Sequence, residues 1–149
     1  GGTRLRYQLR GQLYVIDLNI SSSRMAADDF AVSAAEPFAL NAKGDTAEYF
    51  PGNRSLPALS VTRSRRAPVD IEIESWPTGP AGLRKWTESA SDRGVAARHL
   101  VSGLQPEASY ELRCEGRKAG SFKANAAGRI EFKRTLGSKK SQRFELLIR

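Results

Sequence analysis

Few side chains in this 149-residue chain are suited to chemistry, and they are scattered. There is one histidine, His99, and one cysteine, Cys114. Nucleophilic catalysis would need a serine or cysteine beside the histidine in space, and no G-x-S-x-G turn is present to supply one. A single cysteine also excludes an internal disulfide and any multi-cysteine metal site. Cys114 alternates in phase with Tyr110 and Leu112, so it reads as a buried thiol rather than a nucleophile. Asp70, Glu72 and Glu74 share one strand face, with neighbours about 6.5–7 Å apart. That separation suits a glycosidase pair, yet acids on an exposed strand face normally serve solvation. Asp28-Asp29 could contribute to a calcium site but falls far short of a ligand set. No phosphate-cradling glycine loop or dinucleotide fingerprint occurs. The expectation is no catalytic residue, no metal and no cofactor.

The elements that would position these residues read as strands. Leu5, Tyr7 and Leu9 alternate with Arg4, Arg6, Gln8 and Arg10, and Leu13 to Ile20 is a second, more apolar run. With Gly11 between them they predict a hairpin, ended by Ser21-Ser22-Ser23. Met25 to Ala35 is Ala-rich and fits either a helical turn or an irregular crossover. Phe38 to Leu40 suggests a short strand, and Asn41 to Pro57, rich in Gly and Pro, a long loop or domain junction. Beyond it lie Leu59–Val61, Val69–Ile73, Leu83–Ser89 around Trp86, and Val95–Val101. Tyr110–Cys114, a segment around Phe122, Ile130–Phe132 and Phe144–Ile148 follow. Short strands separated by turn signals, with no amphipathic helix between them, predict an antiparallel all-β sandwich. Two units are expected: 1–55, as extra strands or the tail of a preceding domain, and 56–149, as the sandwich.

Hydrophobic content of 40% indicates a folded chain. No apolar run is long enough to span a bilayer as a helix, and Gly1-Gly2-Thr3-Arg4 has no signal-peptide core. Residues 117–149 hold ten cations and two anions, whereas residues 1–116 hold fourteen of each. The net charge of +8 therefore belongs to the last third.

Gly103-Leu104-Gln105-Pro106-Glu107-Ala108-Ser109-Tyr110 carries the spacing Leu-x-Pro-x-x-x-Tyr, which resembles the tyrosine corner of fibronectin type III and immunoglobulin-like sandwiches. The later Tyr-x-Leu-x-x-x-Gly-x-x-x-Gly hairpin and Ala-x-Gly-x-Ile-x-Phe are similar to modules at the C-termini of secreted bacterial glycoside hydrolases and polysaccharide lyases. The likeness covers Leu59 to Ile148. It implies that the Tyr110 hydroxyl bonds back to the corner. Trp76 departs from the pattern, being out of phase with Val69, Ile71 and Ile73. Either a bulge turns it inward or it lies on the acidic face.

Given that resemblance, the expected function is a non-catalytic, carbohydrate-associated module of a secreted or periplasmic polysaccharide-degrading enzyme, with a catalytic domain attached upstream. Trp86, flanked by Arg84 and Lys85, is the candidate stacking platform, or else half of the core. Lys123, Arg129, Lys133 and Arg143 should project outward and form a basic face that favours acidic glycans. The alternatives are the C-terminal part of a lyase or hydrolase, and a structural spacer or protein-interaction module. Nucleic acid ranks behind these, because the phenylalanines interleaved with the cations alternate as core.

Overall fold

The strand patterns become fourteen strands in the computed structural model, which describes residues 2–9, 12–19, 23–52, 54–137 and 141–149, with no helix among them. In chain order they are β1 (Gly2–Leu9), β2 (Gln12–Asn19), β3 (Ser23–Ala27), β4 (Phe30–Ala34), β5 (Phe38–Lys43), β6 (Thr46–Pro51) and β7 (Leu59–Arg63). There follow β8 (Val69–Ser75), β9 (Arg84–Ala90), β10 (Val95–Val101), β11 (Ser109–Cys114), β12 (Arg117–Lys123), β13 (Ile130–Leu136) and β14 (Gln142–Ile148). They form two seven-stranded sheets. One has the order β1-β2-β5-β6-β7-β10-β13, the other β12-β11-β14-β9-β8-β4-β3. Neighbours pair antiparallel except β4 and β8, which run parallel from Phe30↔Val69 to Ala34↔Ile73. The predicted all-β sandwich is thus present.

Between the sheets lies one apolar layer, built by period-two alternation. Val69, Ile71 and Ile73 point in while Asp70, Glu72 and Glu74 are exposed. Val61, Val101, Leu112, Phe144 and Leu146 complete the centre, all essentially without exposure. β1 and β2 pair antiparallel, with Tyr7 opposite Tyr14. The predicted turn at Gly11, the break at Ser21 and Ser22, and Lys139 and Lys140 lie outside the described residues.

Two segments differ from the sequence expectation. Met25 to Ala35 is neither helical turn nor crossover but the hairpin β3–β4. Its two-residue turn places Asp28 and Asp29 at φ of 49° and 64°. A two-residue turn with both residues at positive φ matches strand twist, and aspartate tolerates it better than most side chains. The span 41–57 is likewise no open junction: β5 and β6 pair from Phe38↔Pro51 to Lys43↔Thr46 around Gly44-Asp45. Gly44, at φ 63°, supplies that turn. β6 then pairs with β7, so these early strands are hydrogen-bonded into the same sheet as the later ones.

Candidate functional site

The two ends of the sandwich are closed by different loops, each organised by a buried arginine. Arg63, in phase with Leu59 and Val61, is 2% exposed. Its guanidinium donates to the carbonyls of Ala67 (2.8 Å), Asp28 (2.6 Å) and Gly44 (2.7 Å), and Nε donates to Asp45 at 3.3 Å. It also lies 4.0 Å above the Phe30 ring. A planar fork with five donors can gather several backbone acceptors in this way, which a lysine cannot. The Asp28-Asp29 pair is engaged by Arg66 at 3.4 and 2.9 Å. No group of three or more potential metal ligands occurs among the described residues.

At the opposite end, Arg84 is fully buried and donates to the carbonyls of Gly79, Gly82 and Gly103 at 3.1, 3.1 and 3.4 Å. Burial lowers its pKa below that of an ordinary guanidinium. Tyr110 works beside it. The hydroxyl accepts from the Gln105 amide at 2.9 Å and donates to the Pro80 carbonyl at 2.7 Å. The bond back to the corner is thus formed, and a second one fastens loop 77–83. Gly128 completes this end with φ of 72°; a Cβ there would meet the Leu104 carbonyl oxygen at 2.3 Å. Only glycine allows the loops at 102–108 and 124–129 to approach this closely.

Trp76 joins this end because the β8–β9 register shifts between Ile73 and Ser75. The bulge turns the indole inward, to 5.4 Å from Trp86 and 5.6 Å from Tyr49 between ring centroids. It remains partly exposed at a groove of about 630 Å³, whose wall includes Tyr49, Arg54, Glu36 and Glu74. Its Nε1 has no acceptor among the described residues. Tyr49 is buried, which pushes its phenol up to about 12. Arg54 donates to the Thr78 carbonyl at 2.6 Å and separates this groove from another of about 750 Å³. The second groove carries Leu56, 58% exposed, and Arg129.

The sequence candidates fall elsewhere. Trp86 and Arg84 show no exposure, so neither can offer a face to a sugar ring. Alternation put Trp86 on a strand but could not say which face was inner, because that face of β9 reads Arg84, Trp86, Glu88, Ala90. Two charges on an inward face hide the usual apolar signal. Lys123, Arg129, Lys133 and Arg143 are all exposed, as alternation requires. They do not make one basic face: β13, bearing Lys133, belongs to one sheet, while β12 and β14, bearing Lys123 and Arg143, belong to the other. Arg143 pairs with Glu74 at 2.9 Å and Lys123 with Glu107 at 3.3 Å. Sequence separation concealed both partners.

His99 is sealed in the core. Its ring stacks on Phe132 at 4.5 Å, and Nε2 lies 2.7 and 2.8 Å from the Glu88 carboxylate oxygens. Trp86 Nε1 donates to the same carboxylate at 2.6 Å. Glu88 and His99 are both without exposure, so the pair joins the two sheets and meets no solvent. The in-phase positions of Glu88 with Trp86, and of His99 with Val101, were the signals that could have found it. Cys114 is buried at 8% exposure, and burial raises its pKa, as expected of a core thiol.

The chain matches no protein-family model, and neither the curated proteins nor the solved structures give a match.

Proposed function

We propose that this chain is a non-catalytic, carbohydrate-associated module of fibronectin-III or immunoglobulin-like type, belonging to a secreted bacterial polysaccharide-degrading enzyme. The observation that supports it is the partly exposed Trp76 in the groove of about 630 Å³ between loops. An indole beside mixed polar groups suits a pyranose, whose apolar face stacks while its hydroxyls find donors and acceptors. Arg54, Glu36 and Glu74 supply those groups. The tyrosine corner supports the sandwich type. Burial of His99 favours binding over hydrolysis, since general acid–base catalysis requires the group to reach substrate.

The chain has two tryptophans, and Trp86 is buried. Acrylamide quenching therefore reports chiefly on Trp76. Titration with neutral hexasaccharides of glucose, xylose and mannose should shift the emission and protect it from quenching, and should do the same in Trp86→Phe. Unchanged quenching throughout the panel would remove the groove as a sugar site.

A further inference from the structure

The second groove has a different chemistry from the first. We infer that it binds the carboxylate of an acidic sugar unit, so that the module selects uronate-containing chains; this rests on the carbohydrate-binding reading above. Arg54 stands between the two grooves and Arg129 borders the second. Arg54 uses one donor on Thr78, leaving most of its fork available. The Arg129 side chain forms no ion pair or hydrogen bond among the described residues; only its backbone is engaged, the amide donating to the Asn125 side chain and the carbonyl accepting from the Asn125 amide, both at 3.0 Å. The one carboxylate on the groove wall, Glu48, already accepts from Asn41 at 2.9 Å. Two arginines against one carboxylate leave the groove wall with an excess of positive charge that an anion would balance.

The remaining wall favours a sugar over a bare anion. Leu56, Pro57, Ala58 and Leu100 provide an apolar strip, and Ser55, Ser60 and Ser102 provide small polar groups. Leu56 is an exposed large hydrophobic, open to solvent at the groove wall. A uronate presents a carboxylate, an apolar ring face and hydroxyls together. Arginine forks match carboxylates in two-point geometry, which gives selectivity beyond charge. The adjoining Trp76 groove would then hold the next unit of the chain.

The test uses the whole chain in calorimetric titrations at fixed moderate salt. Four probes are compared: hexagalacturonate, its methyl ester, a neutral hexasaccharide and hexaglutamate. Hexagalacturonate should bind about tenfold or more tightly than its ester, the factor expected for a charge-assisted contact. Arg129→Gln should bring the acid down to the level of the ester without altering the melt. Lys133→Gln, on the outer face of β13, should leave affinity unchanged. Equal binding of acid and ester overturns the inference, as does an equal drop in both variants, which would mean bulk charge attraction. Hexaglutamate binding as tightly as the uronate, with the same Arg129 sensitivity, overturns it in favour of an acidic peptide. Failure of every saccharide removes the carbohydrate reading itself. Neutral and acidic saccharides binding alike, with Trp76 protected, leave that reading standing and remove only the uronate assignment.

Discussion

The two ends of the sandwich solve the same problem differently. Each buries an arginine among backbone carbonyls, so each ties its loops to a permanent charge. At the Arg63 end the β-hairpin turns are two residues long, at Asp28-Asp29 and Gly44-Asp45. Charges there are paired: Arg66 with Asp28 and Asp29, Arg65 with Asp92, and Arg63 with Asp45. At the Arg84 end the connections are longer, and Arg84 is held by carbonyls without a carboxylate. That end carries the two grooves, the partly exposed Trp76, Leu56 and Arg129. Short, charge-matched turns complete a fold, whereas longer loops pinned at a few points leave concave surface between them. Function concentrates on loops of the second kind, held by a rigid scaffold.

The comparison can be broken at its strongest point first. Arg63→Ala should cost about 3–5 kcal/mol, since it leaves three carbonyls without their donor and opens a void under Phe30. Denaturant melts would show it. A loss below about 1 kcal/mol would mean the turns hold themselves and the arginine is incidental.

At the groove end the individual fasteners are weaker. Gly128→Ala and Tyr110→Phe should each cost about 1–3 kcal/mol, the first through a forced left-handed Cβ contact, the second by stranding the Gln105 amide and the Pro80 carbonyl. Both should also weaken protection of Trp76 by a bound saccharide. Unchanged stability in Tyr110→Phe would remove the tyrosine corner as a structural element.

The smallest effect is acid sensitivity at the paired end. The Gly44 amide, bonded to its carboxylate at 2.8 Å, holds Asp28 below the usual carboxylate range, with Arg66 helping. A carboxyl whose folded pKa is depressed stabilises the fold above its unfolded pKa, near 3.8. That contribution is lost as pH falls through the folded value. Asp28→Asn should therefore show a shallower loss of stability below about pH 4. Glu111, held low by Arg113 and then by Arg149, responds in the same direction and is intact in both proteins. Parallel acid titrations of the two proteins would contradict this.

Period-two alternation alone settled much of this protein. Val69, Ile71 and Ile73 opposite Asp70, Glu72 and Glu74 left no other reading of β8, and Leu-x-Pro-x-x-x-Tyr announced the corner before any coordinate. Each depends on neighbours a few residues apart, where the strand period governs direction. Assignment of strands to sheets was not legible. The basic third looked like one face but is divided between two, because alternation gives inside or outside and never which sheet. The inward charges Arg63, Arg84 and Glu88 broke the apolar pattern, and apart from Trp86, which shares β9 with Glu88, their partners lie on other strands or loops. Trp76 depended on a bulge, a single-residue slip that leaves no compositional mark. The grooves are made by loops distant in sequence, and only the folded chain brings Arg54, Trp76 and Arg129 to one end, because the pairing of distant strands decides which loops meet there.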